Sequence, residues 1–193
     1  KHTTLGGARN LAIKQASGKY VAFLDCDDVC LPGRLSNQVL FMENSQFVLS
    51  YGAARVINEQ GGLMYIQRPA HKSGKILLSL LYKHDINTQS VMIKKDVFEE
   101  DWCIFNSNFH CCADYNLYMH IASHYSIGVM SDILSIYRKH GGSLSRRTFH
   151  HVANELRLTI DQLKKSTSNQ HIGRKLHLAL NYLQDKTNYY EAF

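Results

Sequence analysis

Tyr20-Val21-Ala22-Phe23-Leu24 runs directly into Asp25-Cys26-Asp27-Asp28. The apolar run, with no polar alternation, reads as a strand buried on both faces of an α/β sheet. The three carboxylates that follow repel one another, and such a cluster is costly unless a cation neutralises it. In open α/β sheets the carboxyl ends of strands line the ligand crevice, so position and charge agree on a metal–phosphate site. Oxygen donors at this density suit Mg²⁺ or Mn²⁺, with phosphate completing the shell. The plainer reading is that Asp27 or Asp28 caps the turn or helix that follows. One of the three can do so; the cluster as a whole needs more.

Upstream, Leu5, Ala8, Leu11, Ala12 and Ala16 recur at helical spacing, which predicts a helix over 7–17 stopped by Gly18. Downstream, Pro32 opens a helix over 33–44 that carries Leu35, Val39 and Met42. Segments 47–57 and 63–67 flank Asn58-Glu59-Gln60-Gly61-Gly62 as a hairpin, with Pro69 beyond as a breaker. A helix over 75–82, a strand over 89–94, a helix over 113–124 and strands over 126–130 and 133–137 follow, and then two helices over 147–165 and 170–186. The alternation of strands and helices predicts an α/β domain, and the helical end a C-terminal appendage.

At 193 residues, 45% hydrophobic and 20% charged, the chain has the composition of an ordinary globular domain and the length for one core. Its apolar runs fall far short of a membrane span, and no apolar stretch near the start reads as a signal peptide. It opens on Lys1 rather than Met, which suggests processing or excision from something longer. The five cysteines include neighbours Cys111 and Cys112 and no C-x-x-C pair. That favours free thiols in a reducing compartment over a secreted disulfide framework. A zinc site from Cys26, Cys30, Cys111 and Cys112 does not match the spacing of known knuckles. The net charge of +6 lies in the tail: residues 1–137 carry 12 basic and 12 acidic side chains, residues 138–193 carry 10 and 4. A solvated helical face is the plain reading of that tail, and an anionic membrane surface the next. Nucleic acid is disfavoured, because no strand interleaves aromatic and basic residues. The expected location is cytoplasmic, or peripheral at the inner face of the membrane.

Two enzyme classes set carboxylates after an apolar strand. Haloacid-dehalogenase-type phosphatases use D-x-D-x-[TV], which Asp25-Cys26-Asp27-Asp28-Val29 satisfies. They also need a later Lys and a pair of aspartates, where this chain offers Asp132 alone. The second class agrees in context. Gly6-Gly7-Ala8-Arg9-Asn10, Ala16-Ser17-Gly18-Lys19-Tyr20, the acidic stretch itself, and Leu31-Pro32 with Leu35 and Gln38 stand in the order that resembles family 2 glycosyltransferases of the GT-A fold. Ala113-Asp114-Tyr115-Asn116-Leu117 resembles that family's E-D-x-x-L segment, with Ala113 in place of Glu. Tyr137-Arg138-Lys139-His140 with Ser143 and Ser145 resembles its closing Y-R-x-H…S-x-S motif. The resemblance covers residues 6–147.

It implies a partial GT-A, Rossmann-like sheet over residues 1–145 and a C-terminal helical extension over 146–193. It also implies a nucleotide-diphosphate sugar donor, a glycan or lipid-linked acceptor, and a single inverting displacement in glycan or polysaccharide synthesis. Asp25 would face the ribose or sugar, and Asp27, with Asp25 and His140, would hold Mn²⁺ or Mg²⁺ on the diphosphate. Asp28 would ligate through water or act as a cap. Arg9 and Arg138 would contact the diphosphate or nucleotide, since guanidinium matches phosphate geometry. Asp114 would be the general base, although alone it reads as an acid favoured by a helix dipole. Asn10 is read as fixing local backbone, and Gln89 and Trp102 as lining the acceptor site. The stretch 63–65 suits core and acceptor groove equally. Members of the family ordinarily begin with a strand–helix–strand unit that this sequence does not show. The chain is therefore expected to be a fragment, or a truncated protein that transfers weakly by itself. The rival expectations are the phosphatase and an inactive glycosyltransferase-like interaction domain.

Overall fold

The computed structural model of the chain describes residues 3–167 and 174–191. Helix α1 (Leu5–Gln15) begins where Thr4 Oγ1 accepts the Gly7 N–H and ends at Ala16, shortly before Gly18. Strands β1 (Tyr20–Ala22) and β2 (Val29–Cys30) flank the acidic turn, and α2 (Arg34–Glu43) follows. The hairpin β3 (Leu49–Ile57) and β4 (Leu63–Gln67), helix α3 (Leu77–Tyr82) and strand β5 (Met92–Lys94) lead to α4 (Ala113–His124) and the long β6 (Ile127–Arg138). A short α5 (Leu144–Arg147), α6 (Val152–Thr167) and α7 (Arg174–Glu191) form the tail. Residues 170–173 of the second predicted tail helix lie outside the described residues.

The strands make one sheet in the order β1-β5-β3-β6-β2, with β4 added beside β3. Strands β3 and β6 run parallel, and the remaining pairs are antiparallel. β1 and β2 lie at opposite ends of that order although residues 23–28 alone separate them. A flat sheet would hold strands four places apart at roughly 19 Å. Six residues that include a turn, Asp28 N–H to the Asp25 carbonyl at 3.1 Å, do not reach so far comfortably. The sheet accordingly curls, and its two ends approach each other beneath the turn.

Several local expectations change. The predicted two-face-buried strand shortens to Tyr20–Ala22: with β5 as a neighbour on one side only, Ala22 and Leu24 stay exposed while Phe23 is buried. The strand expected at 89–94 begins as a single 3-10 turn, Thr88–Ser90, before β5. The two strands expected at 126–130 and 133–137 are one. Tyr51 pairs with Val129 and Ala53 with Ile133, so the extra residues form a bulge in β6. Gly52 permits it, since a Cβ there would meet Leu134 Cδ1 at 2.7 Å and the Asp132 carbonyl at 2.9 Å.

Of the apolar positions expected to face inward from helix α2, Met42 is buried, Val39 half-buried and Leu35 exposed. Arg34, Gln38 and Met42 point inward, whereas Leu35 and Leu40 are 50% and 64% exposed. Gly33, at φ 78°, starts the helix in this orientation. Arg34, 2% exposed, donates to the carbonyls of Phe23 (3.2 Å) and Val91 (3.0 Å) and to Gln38 Oε1 (3.0 Å). Gln38 passes the network on to the Ser90 carbonyl at 2.9 Å and Ser50 Oγ at 3.2 Å. Buried carbonyls need donors, and here a guanidinium supplies them, joining the end of β1 to β5.

One apolar core runs from the sheet into the tail. Leu49, Tyr51 and Ile93 of the sheet, Leu80 and Leu81 of α3, and Leu117, Tyr118 and Ile121 of α4 belong to it. So do Leu156, Ile160 and Leu163 of α6, and Ala179, Leu180 and Leu183 of α7.

Candidate functional site

A cleft of about 770 Å³ opens over the acidic turn, bounded by α1, the 86–89 loop and the start of α4. It brings together Arg9, Asp25, Asp27, Asp28 and Asp114, which stand far apart in sequence.

Helix α1 delivers Arg9 to one wall. Arg9 Nη2 donates to Asp25 Oδ1 at 2.8 Å, and its guanidinium lies over the rings of Phe105 (5.4 Å) and Phe23 (5.9 Å). Those rings pack edge to face, giving the cation an aromatic cradle. The neighbouring Asn10 fixes backbone as expected: its amide donates to the Phe105 carbonyl at 2.8 Å and accepts the Phe105 N–H at 3.0 Å.

The turn itself is held from β6. Asp28 Oδ1 accepts the Arg138 N–H at 2.8 Å, and Arg138 Nε donates to the Asp27 carbonyl at 3.2 Å. The Arg138 guanidinium also reaches the Glu59 carbonyl at 3.2 Å, tying the turn to the β3–β4 hairpin. His140 Nε2 meets Asp27 Oδ2 at 2.8 Å. His140 faces an adjoining cavity of about 440 Å³, which shares Tyr137 and Ser143 with the main cleft and also presents Lys139 and Arg146.

Asp28 is the acid under most stress. It is 9% exposed, and its Oδ2 has no hydrogen-bond partner among the described residues. Burial pushes its pKa up to about 6; the Arg138 N–H and Gln89 pull it down, and the charges of Asp27 and Asp25 push it up. An acid whose folded pKa exceeds its unfolded value keeps its proton longer in the folded chain. Its contribution to stability is therefore greatest below about pH 4 and is lost as the pH rises to about 6. Asp28→Asn is expected to raise Tm at pH 7.5 in chelator and to flatten the stability profile between those two values. Calorimetry across that range checks it, and an unchanged slope refutes the assignment.

Asp114 sits at the second position of α4, whose N-cap Cys112 supplies no side-chain cap. Its Oδ1 accepts the Tyr115 N–H and its Oδ2 accepts the Thr88 hydroxyl, both at 2.8 Å. The carboxylate thus serves its helix and faces the cleft at once. Thr88 was not singled out from the sequence, although its neighbour Gln89 was. Gln89 also lines the cleft, buried, with Oε1 unpartnered among the described residues. Trp102 does not join them: it stacks on His124 at 4.1 Å, away from the cleft. Residues 63–65 are not core; Leu63, Met64 and Tyr65 are 62%, 53% and 43% exposed on β4.

Among the described residues no three His, Cys, Asp or Glu side chains converge as a ready-made metal cage, and none of the five cysteines forms a disulfide. No described helix is long and apolar enough to cross a membrane.

The curled α/β sheet with this cleft at its strand ends is the architecture of GT-A type glycosyltransferases. The crystal structure of S. aureus TarS 1-349 in complex with UDP-GlcNAc superposes with a TM-score of 0.69 at 16% identity, over 98% of this chain and 53% of that one. Residues 1–102 match Glycosyl transferase family 2, and the chain belongs to that family. Family membership sets aside the phosphatase reading. An uncharacterized glycosyltransferase of Rickettsia felis is 35% identical over 136 residues, 70% of this chain and 22% of that protein. The Escherichia coli UDP-Glc:alpha-D-GlcNAc-diphosphoundecaprenol beta-1,3-glucosyltransferase WfgD is 28% identical over 180 residues, 92% of this chain and 66% of that protein. The chain spans about a fifth of the length of the Rickettsia relatives it matches.

Proposed function

We propose that this chain carries the catalytic site of a metal-dependent, inverting glycosyltransferase that moves a sugar from a nucleotide-diphosphate donor to an acceptor hydroxyl in polysaccharide or lipid-linked glycan assembly. The observation that carries the reading is the gathering of the acidic turn, Arg9 and Asp114 in one cleft. Relatives point the same way: TarS structures hold UDP-GlcNAc and UDP, and WfgD is named for UDP-Glc and a diphosphoundecaprenol acceptor.

Mn²⁺ or Mg²⁺ fits the donors present. Asp28 Oδ2 is buried without a hydrogen-bond partner among the described residues and feels the charges of Asp27 and Asp25, and the His140 ring meets Asp27. Two or three protein oxygens are what a cation completed by phosphate and water requires. Asp25 and Asp27 would hold it with His140 alongside, and when bound it supplies Lewis-acid neutralisation of the leaving diphosphate. Arg9 adds positive charge on the donor side, and Arg138, which lines neither cavity, holds the turn through its hydrogen bonds. Asp114 takes the proton of the acceptor hydroxyl as that oxygen bonds to the anomeric carbon and the bond to the diphosphate oxygen breaks. In this reading residues 1–145 form the transferase domain and 146–193 the extension, whose described helices α6 and α7 share its core. The extension's excess of basic side chains would suit an anionic membrane surface at the cytoplasmic side.

Titration calorimetry with UDP and GDP, with and without Mn²⁺, tests the proposal. Metal-dependent binding of one nucleotide is expected, weakened at least about tenfold by Asp27→Asn. No metal-dependent heat with either nucleotide would favour an inactive interaction domain instead.

A further inference from the structure

We infer that Glu155, on the tail helix α6, is a positioning residue for Asp114, so that the helical extension takes part in the transfer site. The inference rests on the reading of Asp114 as the base. Glu155 is 3% exposed. Its Oε1 accepts the His110 N–H at 2.6 Å, and its Oε2 accepts the N–H groups of Cys111 at 3.0 Å and Cys112 at 2.7 Å. One carboxylate thus gathers three consecutive main-chain donors immediately ahead of Ala113 and Asp114. Bonds of this kind, N–H to an ionised oxygen, are the strong ones. A negative charge at this end of α4 also complements the helix dipole.

The N-cap of α4, Cys112, makes no side-chain cap, and the Ala113 side chain has no polar atom; of the described main-chain donors Asp114 itself reaches only the Tyr115 N–H. The anchor is imported from 42 residues after Ala113 in sequence. Its placement is set by a second polar seam along the same face of α6. Asn116 donates to Thr159 Oγ1 at 3.1 Å and to Gln162 Oε1 at 2.7 Å, and Thr159 Oγ1 donates to the Glu155 carbonyl at 2.9 Å. Positions 155, 159 and 162 stand one helical turn apart, on one stripe facing α4. Asp114 is therefore fixed twice: Thr88 holds its carboxylate from the cleft side, and Glu155 holds the backbone leading into it. A shift of about 1 Å in a reacting group costs on the order of 10²-fold in rate, so this second anchor acts on turnover rather than on donor binding.

The test uses the full chain with Glu155→Ala, Glu155→Gln and Asp114→Asn. It measures transfer from UDP-glucose to a GlcNAc-diphospholipid and amide hydrogen exchange at residues 110–112. Glu155→Ala is expected to lower kcat about 10- to 100-fold with donor KM within about twofold, and to speed exchange of those three amides at least about tenfold. Glu155→Gln keeps one oxygen acceptor, should recover part of both losses, and stands in if the alanine variant does not fold. Unchanged kcat, unchanged exchange at 110–112, or a parallel rise in donor KM would overturn the positioning role. Full turnover by Asp114→Asn would instead remove the base reading, leaving the exchange data to judge the anchor separately.

Discussion

Asp114→Asn is expected, from its proposed role as base, to cut turnover by roughly 10²- to 10⁴-fold, the usual contribution of a positioned general base. Affinity for UDP and Mn²⁺ and the melting temperature should stay near those of the parent chain. The substitution suits the question because the amide oxygen can still accept the Tyr115 N–H or the Thr88 hydroxyl that the carboxylate accepts now. What is removed is the ability to take a proton. Steady-state kinetics with nucleotide binding measured in parallel separates the outcomes. Full activity would return Asp114 to the simple task of capping α4, whereas a loss confined to KM would make it a substrate contact.

The largest expected effect on stability comes from Arg34. Arg34→Ala should cost about 3–5 kcal/mol in urea unfolding, placing it among the severe single substitutions. Three acceptors, the carbonyls of Phe23 and Val91 and the Gln38 amide oxygen, lose a charged donor in a buried setting. Hydrogen bonds to charged groups contribute about 1.5–3 kcal/mol each, and buried acceptors left unmade are costly in themselves. A void is added where the side chain was. Arg34→Lys supplies one point of donation in place of a fork and should fall between the parent and the alanine variant. Because Phe23 lies two residues ahead of Asp25, the same variants should also weaken the proposed Mn²⁺-dependent nucleotide binding. A change below about 1 kcal/mol would mean that water replaces the guanidinium at these carbonyls.

The contrast between these two residues shows what the sequence discloses. The helices at α1 and α4, the β3–β4 hairpin and the acidic turn follow from apolar periodicity, Gly and Pro punctuation and charge density, all of which act locally. Arg34 was hidden because periodicity counts apolar residues, and α2 turns a polar stripe inward while Leu35 and Leu40 face outward. Thr88 and Glu155 were hidden for another reason. Each acts through a partner 26 or more residues away, and nothing in either neighbourhood marks it. The cleft's charged members were legible through a resemblance that names them together, but the anchors that hold them were not. Trp102 illustrates the opposite error: an aromatic near a motif attracts a binding role, and here it packs against His124.

The passage of residues 23–28 from one end of the curled sheet to the other makes that segment the string of a bow. String tension and bow curvature are then one mechanical coordinate. A diphosphate–metal complex that draws the carboxylates together would bend the sheet further, and flattening the sheet would slacken their grip by the same free energy, since such linkage is reciprocal. The outermost pairs, β1 with β5 and β2 with β6, therefore become strain gauges: their amides should tighten when the acidic turn is occupied, at the limbs of the bow rather than where the load is applied.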